Sequence, residues 1–87
     1  MTVTLDGKPV ELTAYEFSIL RALALRPGHV LSREQLLDLA KGSAELSFDR
    51  SIDVHVSRLR AKLGDDSRNP RLLKTVRGVG YLLAGGD

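Results

Sequence analysis

Asp49-Arg50-Ser51-Ile52-Asp53-Val54-His55-Val56-Ser57-Arg58-Leu59-Arg60-Ala61-Lys62-Leu63 is the stretch whose periodicity decides how this chain folds. At about 100° per residue, Ile52, Val56, Leu59 and Leu63 collect in one narrow apolar arc, which predicts a helix packed on a core by that face. Roughly opposite fall Arg50, Val54, Ser57, Arg58 and Ala61, with Ser51, His55 and Lys62 on one shoulder and Asp53 and Arg60 on the other. The outward face is thus basic at its edges and small in the middle. Gly64 follows at the position where a left-handed residue commonly ends a helix.

Downstream, Asp65 to Asn69 before Pro70 has turn composition, and Leu72 to Val76 and Tyr81 to Leu83 are short strand candidates. Between them Arg77-Gly78-Val79-Gly80 places an arginine at a hairpin tip. Both glycines are expected to supply backbone angles closed to residues bearing a Cβ.

Upstream, Val3-Thr4-Leu5 and Val10-Glu11-Leu12 read as strands joined through Asp6-Gly7-Lys8-Pro9, where Asp-Gly is a hairpin signal. Thr13-Ala14-Tyr15-Glu16 matches a capping box and opens a first helix, with Phe17, Leu20, Leu23 and Ala24 expected inward and Pro27-Gly28 ending it. Ser32-Arg33-Glu34-Gln35 is a second capping box, opening a shorter helix with Leu36, Leu37 and Ala40 inward, running toward Gly42. A small-residue loop then spans Gly42 to Phe48. This order predicts an α+β winged helix-turn-helix: three helices, a short amino-terminal β-sheet and a carboxy-terminal β-hairpin wing.

At 87 residues the chain is expected to form one domain over residues 1–87. It has no cysteine, which excludes disulfides, cysteine-ligated zinc and thiol chemistry, and fits a reducing compartment. There is no run of about 18 apolar residues and no charged-then-apolar leader, so a soluble cytosolic domain without membrane association is expected. The net charge of +2 hides an asymmetry: residues 1–49 carry five basic and seven acidic side chains (5 − 7 = −2), residues 50–87 eight and four (8 − 4 = +4). The positive field therefore sits on the half holding the basic helix and the hairpin, as expected of a phosphate-facing surface.

No catalytic set, metal site or cofactor is expected. The histidines are His29 in a turn and His55 on the basic helix, and no carboxylate pair sits near either. Gly78-Val79-Gly80 is not a dinucleotide loop, because a strand rather than a helix follows it.

The string Arg50 to Leu63, followed by Lys74-Thr75-Val76-Arg77-Gly78-Val79-Gly80-Tyr81, resembles the signature of the OmpR/PhoB family of bacterial response-regulator effector domains. Leu12 to Phe17 and Pro27 to Leu37 extend the resemblance over nearly the whole chain. It implies sequence-specific binding of double-stranded DNA: the third helix in the major groove, the wing arginine in the minor groove, and protomers dimerised head to tail on tandem half-sites. The loop of Gly42, Ser43, Ala44, Glu45, Leu46 and Ser47 is implied to contact RNA polymerase. A sensor kinase would act through a receiver domain absent from this chain, which is expected to be part of a longer regulator. Two departures stand out. Lys41-Gly42 replaces a tryptophan-glycine pair, and the usual four-stranded amino-terminal sheet is cut to about two strands.

The helix position and the resemblance together assign expected roles. Arg58 reads a base and Arg50 holds phosphate, with Val54 and Ser57 permitting close approach or, for Ser57, touching a base. His55 and Thr75 are expected on phosphate. Arg60, on the flank beside Asp53, is divided between DNA and an intrahelical or tertiary ion pair, and Lys62 between DNA and the helix dipole. Arg77 is expected in the minor groove. Tyr81 reads as core. The alternative of a different class is a winged-helix module for protein association, with a solvated basic face.

Overall fold

The computed structural model describes residues 2–5, 7–40, 51–66 and 68–84. Strands β1 (Thr2–Leu5) and β2 (Lys8–Glu11) pair antiparallel, with Leu5 opposite Lys8. Gly7, just before β2, adopts a φ of 78°, the left-handed backbone that a tight hairpin turn requires.

Both predicted capping boxes are present. Thr13 Oγ1 accepts from the Glu16 amide at 3.1 Å while Glu16 Oε1 accepts from the Thr13 amide at 2.9 Å, starting α1 (Ala14–Ala24). Ser32 Oγ and Gln35 Oε1 make the same exchange at 3.1 and 2.8 Å, starting α2 (Arg33–Leu39). The inward face of α1 is rotated from the expected one. Tyr15, Ile19, Ala22 and Leu23 are buried, whereas Phe17 and Leu20 lie half-buried at the margin and Ala24 is exposed. This helix is apolar over more than one arc, so periodicity alone does not choose its face; packing of Tyr15 against α3 does.

Helix α3 (Ile52–Leu63) is capped by Ser51, whose Oγ accepts from the Val54 amide at 3.4 Å, and ends on Gly64 at φ 72°. The helix therefore begins later than the expected start near Asp49, because Ser51 is extended and supplies the cap. Ile52, Val56, Leu59 and Leu63 are all buried, as the arc predicted. With Leu12, Ile19, Leu23, Leu36 and Leu73 they form the aliphatic core. Each such side chain contributes about 1.5–3 kcal/mol on burial, enough to hold α3 by its apolar arc.

Strands β4 (Leu73–Val76) and β5 (Gly80–Leu83) form the predicted wing, and β3 (Leu31–Ser32) adds to β5, giving the order β3-β5-β4. Strand β3 is not legible in the sequence, because two residues are too few to show alternation. The wing glycines divide the work. Gly78 has φ 76° and serves the turn, as expected. Gly80 instead lies against β3, where a Cβ would fall 2.0 Å from the Leu31 carbonyl oxygen, so close approach of strands, not turn geometry, demands it.

Candidate nucleic-acid interface

Burying the Ile52-Val56-Leu59-Leu63 arc turns the opposite side of α3 to solvent. Ser57, Arg58 and Ala61 are exposed and Val54 is half-buried, so the outward surface is one long cation beside small side chains. Arg77, Gly78 and Val79 are exposed at the wing tip, where the Val79 amide closes the turn on the Val76 carbonyl at 3.0 Å. Arg58 is thus exposed opposite the buried arc, and Arg77 is exposed at the hairpin tip. Arg50 and the loop from Gly42 to Ser47 lie outside the described residues.

The shoulder residues are placed differently. His55, expected on the surface, is 4% exposed, its ring centroid 4.4 Å from that of Tyr15 in an edge arrangement at 61°. Arg60 is 8% exposed; its Nε and Nη2 donate to the Leu73 carbonyl at 3.0 and 2.7 Å, and Nη2 also donates to Thr75 Oγ1 at 2.8 Å. Its hydrogen-bond partners are a carbonyl and a hydroxyl of the wing, not a carboxylate as an ion pair would require. Thr75 is exposed as a residue, but its hydroxyl accepts from Arg60. Lys62 Nζ donates to Glu16 Oε1 at 2.6 Å, tying α3 to α1 rather than only to its own dipole. The cause is common to His55, Arg60 and Lys62. Helix α3 lies between α1 on one flank and the wing on the other, so both shoulders become seams.

Asp53 and Arg60 are seven residues apart and share the wing-side shoulder. Asp53 Oδ1 accepts from Arg33 Nε at 2.8 Å and from the Tyr81 hydroxyl. The two guanidinium carbons, of Arg33 and Arg60, lie 5.5 and 5.8 Å from the Tyr81 ring centroid, within cation–π range. The Tyr81 hydroxyl, followed by the Arg33 guanidinium, holds the Asp53 carboxyl below the ordinary range. Burial, and then the Asp53 carboxylate, pushes the Tyr81 phenol up. A second carboxylate fixes the wing's base: Asp65 accepts from the amides of Arg71 at 2.7 Å, Leu72 at 3.1 Å and Leu73 at 2.9 Å. Burial opposes ionisation of Asp65, but those amides outweigh it and lower its pKa. Buried Tyr81 agrees with its reading as core. The roles of Asp53, Arg33 and Asp65 were missed, and only the spacing of Asp53 and Arg60 on one shoulder hinted at them.

This arrangement combines a solvent-facing side of α3, a hairpin tip carrying Arg77, and side-chain clamps between helix and wing. Among the described residues no cluster of three or more His, Asp or Glu side chains could hold a metal ion, and no helix is long and apolar enough to cross a membrane.

The family model described as transcriptional regulatory protein, C terminal, matches residues 7–83. Regulatory protein VirG of Agrobacterium fabrum is 51% identical over 76 residues, covering 87% of this chain and 30% of that protein. Transcriptional regulatory protein AfsQ1 of Streptomyces coelicolor is 48% identical over 83 residues, covering 95% of this chain and 37% of that protein. The chain therefore spans about a third of the length of these relatives. The Klebsiella pneumoniae RstA DNA-binding domain, solved in complex with the RstA box, superposes with a TM-score of 0.82 at 42% identity, covering 95% of this chain and 82% of that one.

Proposed function

Because the chain belongs to the OmpR/PhoB-type family of transcriptional regulatory carboxy-terminal domains, we propose that it binds double-stranded DNA sequence-specifically as the output domain of a longer two-component response regulator. The carrying observation is the outward side of α3: Arg58 and Ser57 exposed beside Ala61, opposite a buried apolar arc. A guanidinium flanked by small side chains can enter the major groove and reach a guanine edge bidentately. Arg77 at the wing tip is suited to a narrow minor groove, where negative potential concentrates. Arg50 supplies phosphate contact in this reading.

His55, Arg60 and Lys62 act differently from the exposed arginines. Held in the seams beside α3, they support the reading surface, and any DNA contact they make uses the edge of a side chain already engaged by protein. Thr75 likewise offers phosphate a hydroxyl that is preoriented by Arg60.

Family resemblance extends the proposal to tandem half-sites bound by a head-to-tail dimer, to RNA polymerase contact through the loop from Gly42 to Ser47, and to control by a sensor kinase through a receiver domain. Such a regulator works in the bacterial cytoplasm. The family is one of DNA-binding transcriptional regulators, not an enzyme class.

Fluorescence anisotropy against duplex DNA at several salt concentrations tests the reading. About five phosphate contacts give a log–log slope near −4.5, and a folded chain that binds no duplex at low salt would sink it.

A further inference from the structure

We infer that Asp53 is a specificity-determining positioning residue: without touching DNA, it locks the wing to the amino-terminal turn of α3 so that helix and wing read one continuous site. The inference rests on the DNA-binding reading above.

Three elements converge on one carboxylate. Asp53 belongs to the first turn of α3, Arg33 opens α2, and Tyr81 lies on β5, the central strand of the wing sheet. Asp53 Oδ1 accepts from both, at 2.8 Å from Arg33 Nε. An acidic side chain on a helix offered to a polyanion is unfavourable by charge alone, so its presence there calls for a compensating role. Two cations neutralise the seam: Arg33, paired with Asp53, and Arg60, whose guanidinium grips β4 through the Leu73 carbonyl two turns further along α3.

The two clamps are complementary. Arg60 holds the outer strand β4 and Asp53 holds β5, so α3 is fixed to both wing strands at points seven residues apart. One clamp alone leaves a hinge about its own contact. Two remove that rotation. A minor-groove arginine at the end of a hairpin depends on this, because small rotation at the wing's base moves its tip by a larger arc. Tyr81 is thereby more than a core side chain: its ring fills the core while its hydroxyl reports the wing's position to α3.

The test compares two duplexes with the same major-groove site, one with an A·T-rich flank where Arg77 is expected and one with a G·C-rich flank. The ratio of the two affinities is measured for the unsubstituted chain, Asp53→Ala, Tyr81→Phe and Asp53→Asn. Because both duplexes titrate the same protein preparation, a loss of folded fraction cancels from the ratio. Positioning predicts that the A·T preference falls to about one in Asp53→Ala and Tyr81→Phe, as it does in Arg77→Ala. Asp53→Asn, which keeps an acceptor for the Tyr81 hydroxyl, retains part of it. Combining Asp53→Ala with Arg77→Ala adds no further loss of preference. An unchanged ratio in both Asp53→Ala and Tyr81→Phe overturns the proposal, as does a gain in affinity on both flanks alike, which would mark Asp53 as a simple repulsive charge. Equal affinity of the unsubstituted chain for the two flanks overturns it too, while leaving DNA binding intact. Absence of any duplex binding by the unsubstituted chain removes the underlying reading and the proposal together.

Discussion

The guanidinium of Arg60 donates twice to the carbonyl oxygen of Leu73, from Nε at 3.0 Å and from Nη2 at 2.7 Å, in a seam where Arg60 is 8% exposed. A cation on α3 is therefore a structural bracket for the wing.

Arg60→Ala should leave the Leu73 carbonyl and the Thr75 hydroxyl without their donor, costing about 1–3 kcal/mol in chemical denaturation. Arg60→Lys should recover little of it, because an ammonium lacks the planar fork that serves two acceptors at once. Full rescue by lysine would mean that only the charge matters.

Arg58→Ala should cost about 1–3 kcal/mol on the preferred duplex and much less on random DNA, the loss expected of the base readout proposed for it. Anisotropy titrations on both duplexes check this. Equal losses would demote Arg58 to a phosphate contact.

Gly78 and Gly80 should respond differently to alanine. At Gly78 nothing lies within 4 Å of an added Cβ, so the cost is the positive φ of 76°, about 1–2 kcal/mol. At Gly80 the Cβ would meet the Leu31 carbonyl oxygen at 2.0 Å, so β3 and β5 must separate. Thermal melts should therefore show Gly80→Ala much the less stable of the two. Comparable melting temperatures would refute the close-approach argument.

Acid should unfold the domain through Glu16, Asp53 and Asp65. Burial disfavours charge on Glu16, but hydrogen bonds from Lys62 and the Thr13 amide outweigh it and lower its pKa. Asp53 and Asp65 are lowered as well. A group whose folded pKa is depressed contributes stability that is present above its unfolded value and is lost as pH falls through the folded one. Denaturation midpoints should thus be flat near neutrality and decline as pH drops below about 4. Lys62→Ala should lower the neutral plateau by about 1–3 kcal/mol, because it removes a donor from a buried carboxylate. A plateau unaffected by that change would show that the amide cap alone satisfies Glu16.

The capping-box starts of α1 and α2, the Gly64 stop of α3, the hairpin turn at Gly7, the arc of α3 and the order of the elements were legible in the sequence, because each depends on residues within a few positions of one another. Thr13 and Glu16 cap one helix end whatever packs on it, and Ile52, Val56, Leu59 and Leu63 share a face by helical geometry alone. The exposure of Arg58 follows from the same geometry, being opposite that arc. What tertiary structure decided is the fate of residues on the arc's borders. His55, Arg60 and Lys62 are polar, and nothing local says whether water or another element lies beside them; α1 and the wing occupy those places. Likewise Gly80 is explained by β3, almost fifty residues earlier, and Asp53 by Arg33 and Tyr81 from two other elements. Local periodicity determines which face of a helix is apolar. Only the folded arrangement of distant segments determines what its flanks touch.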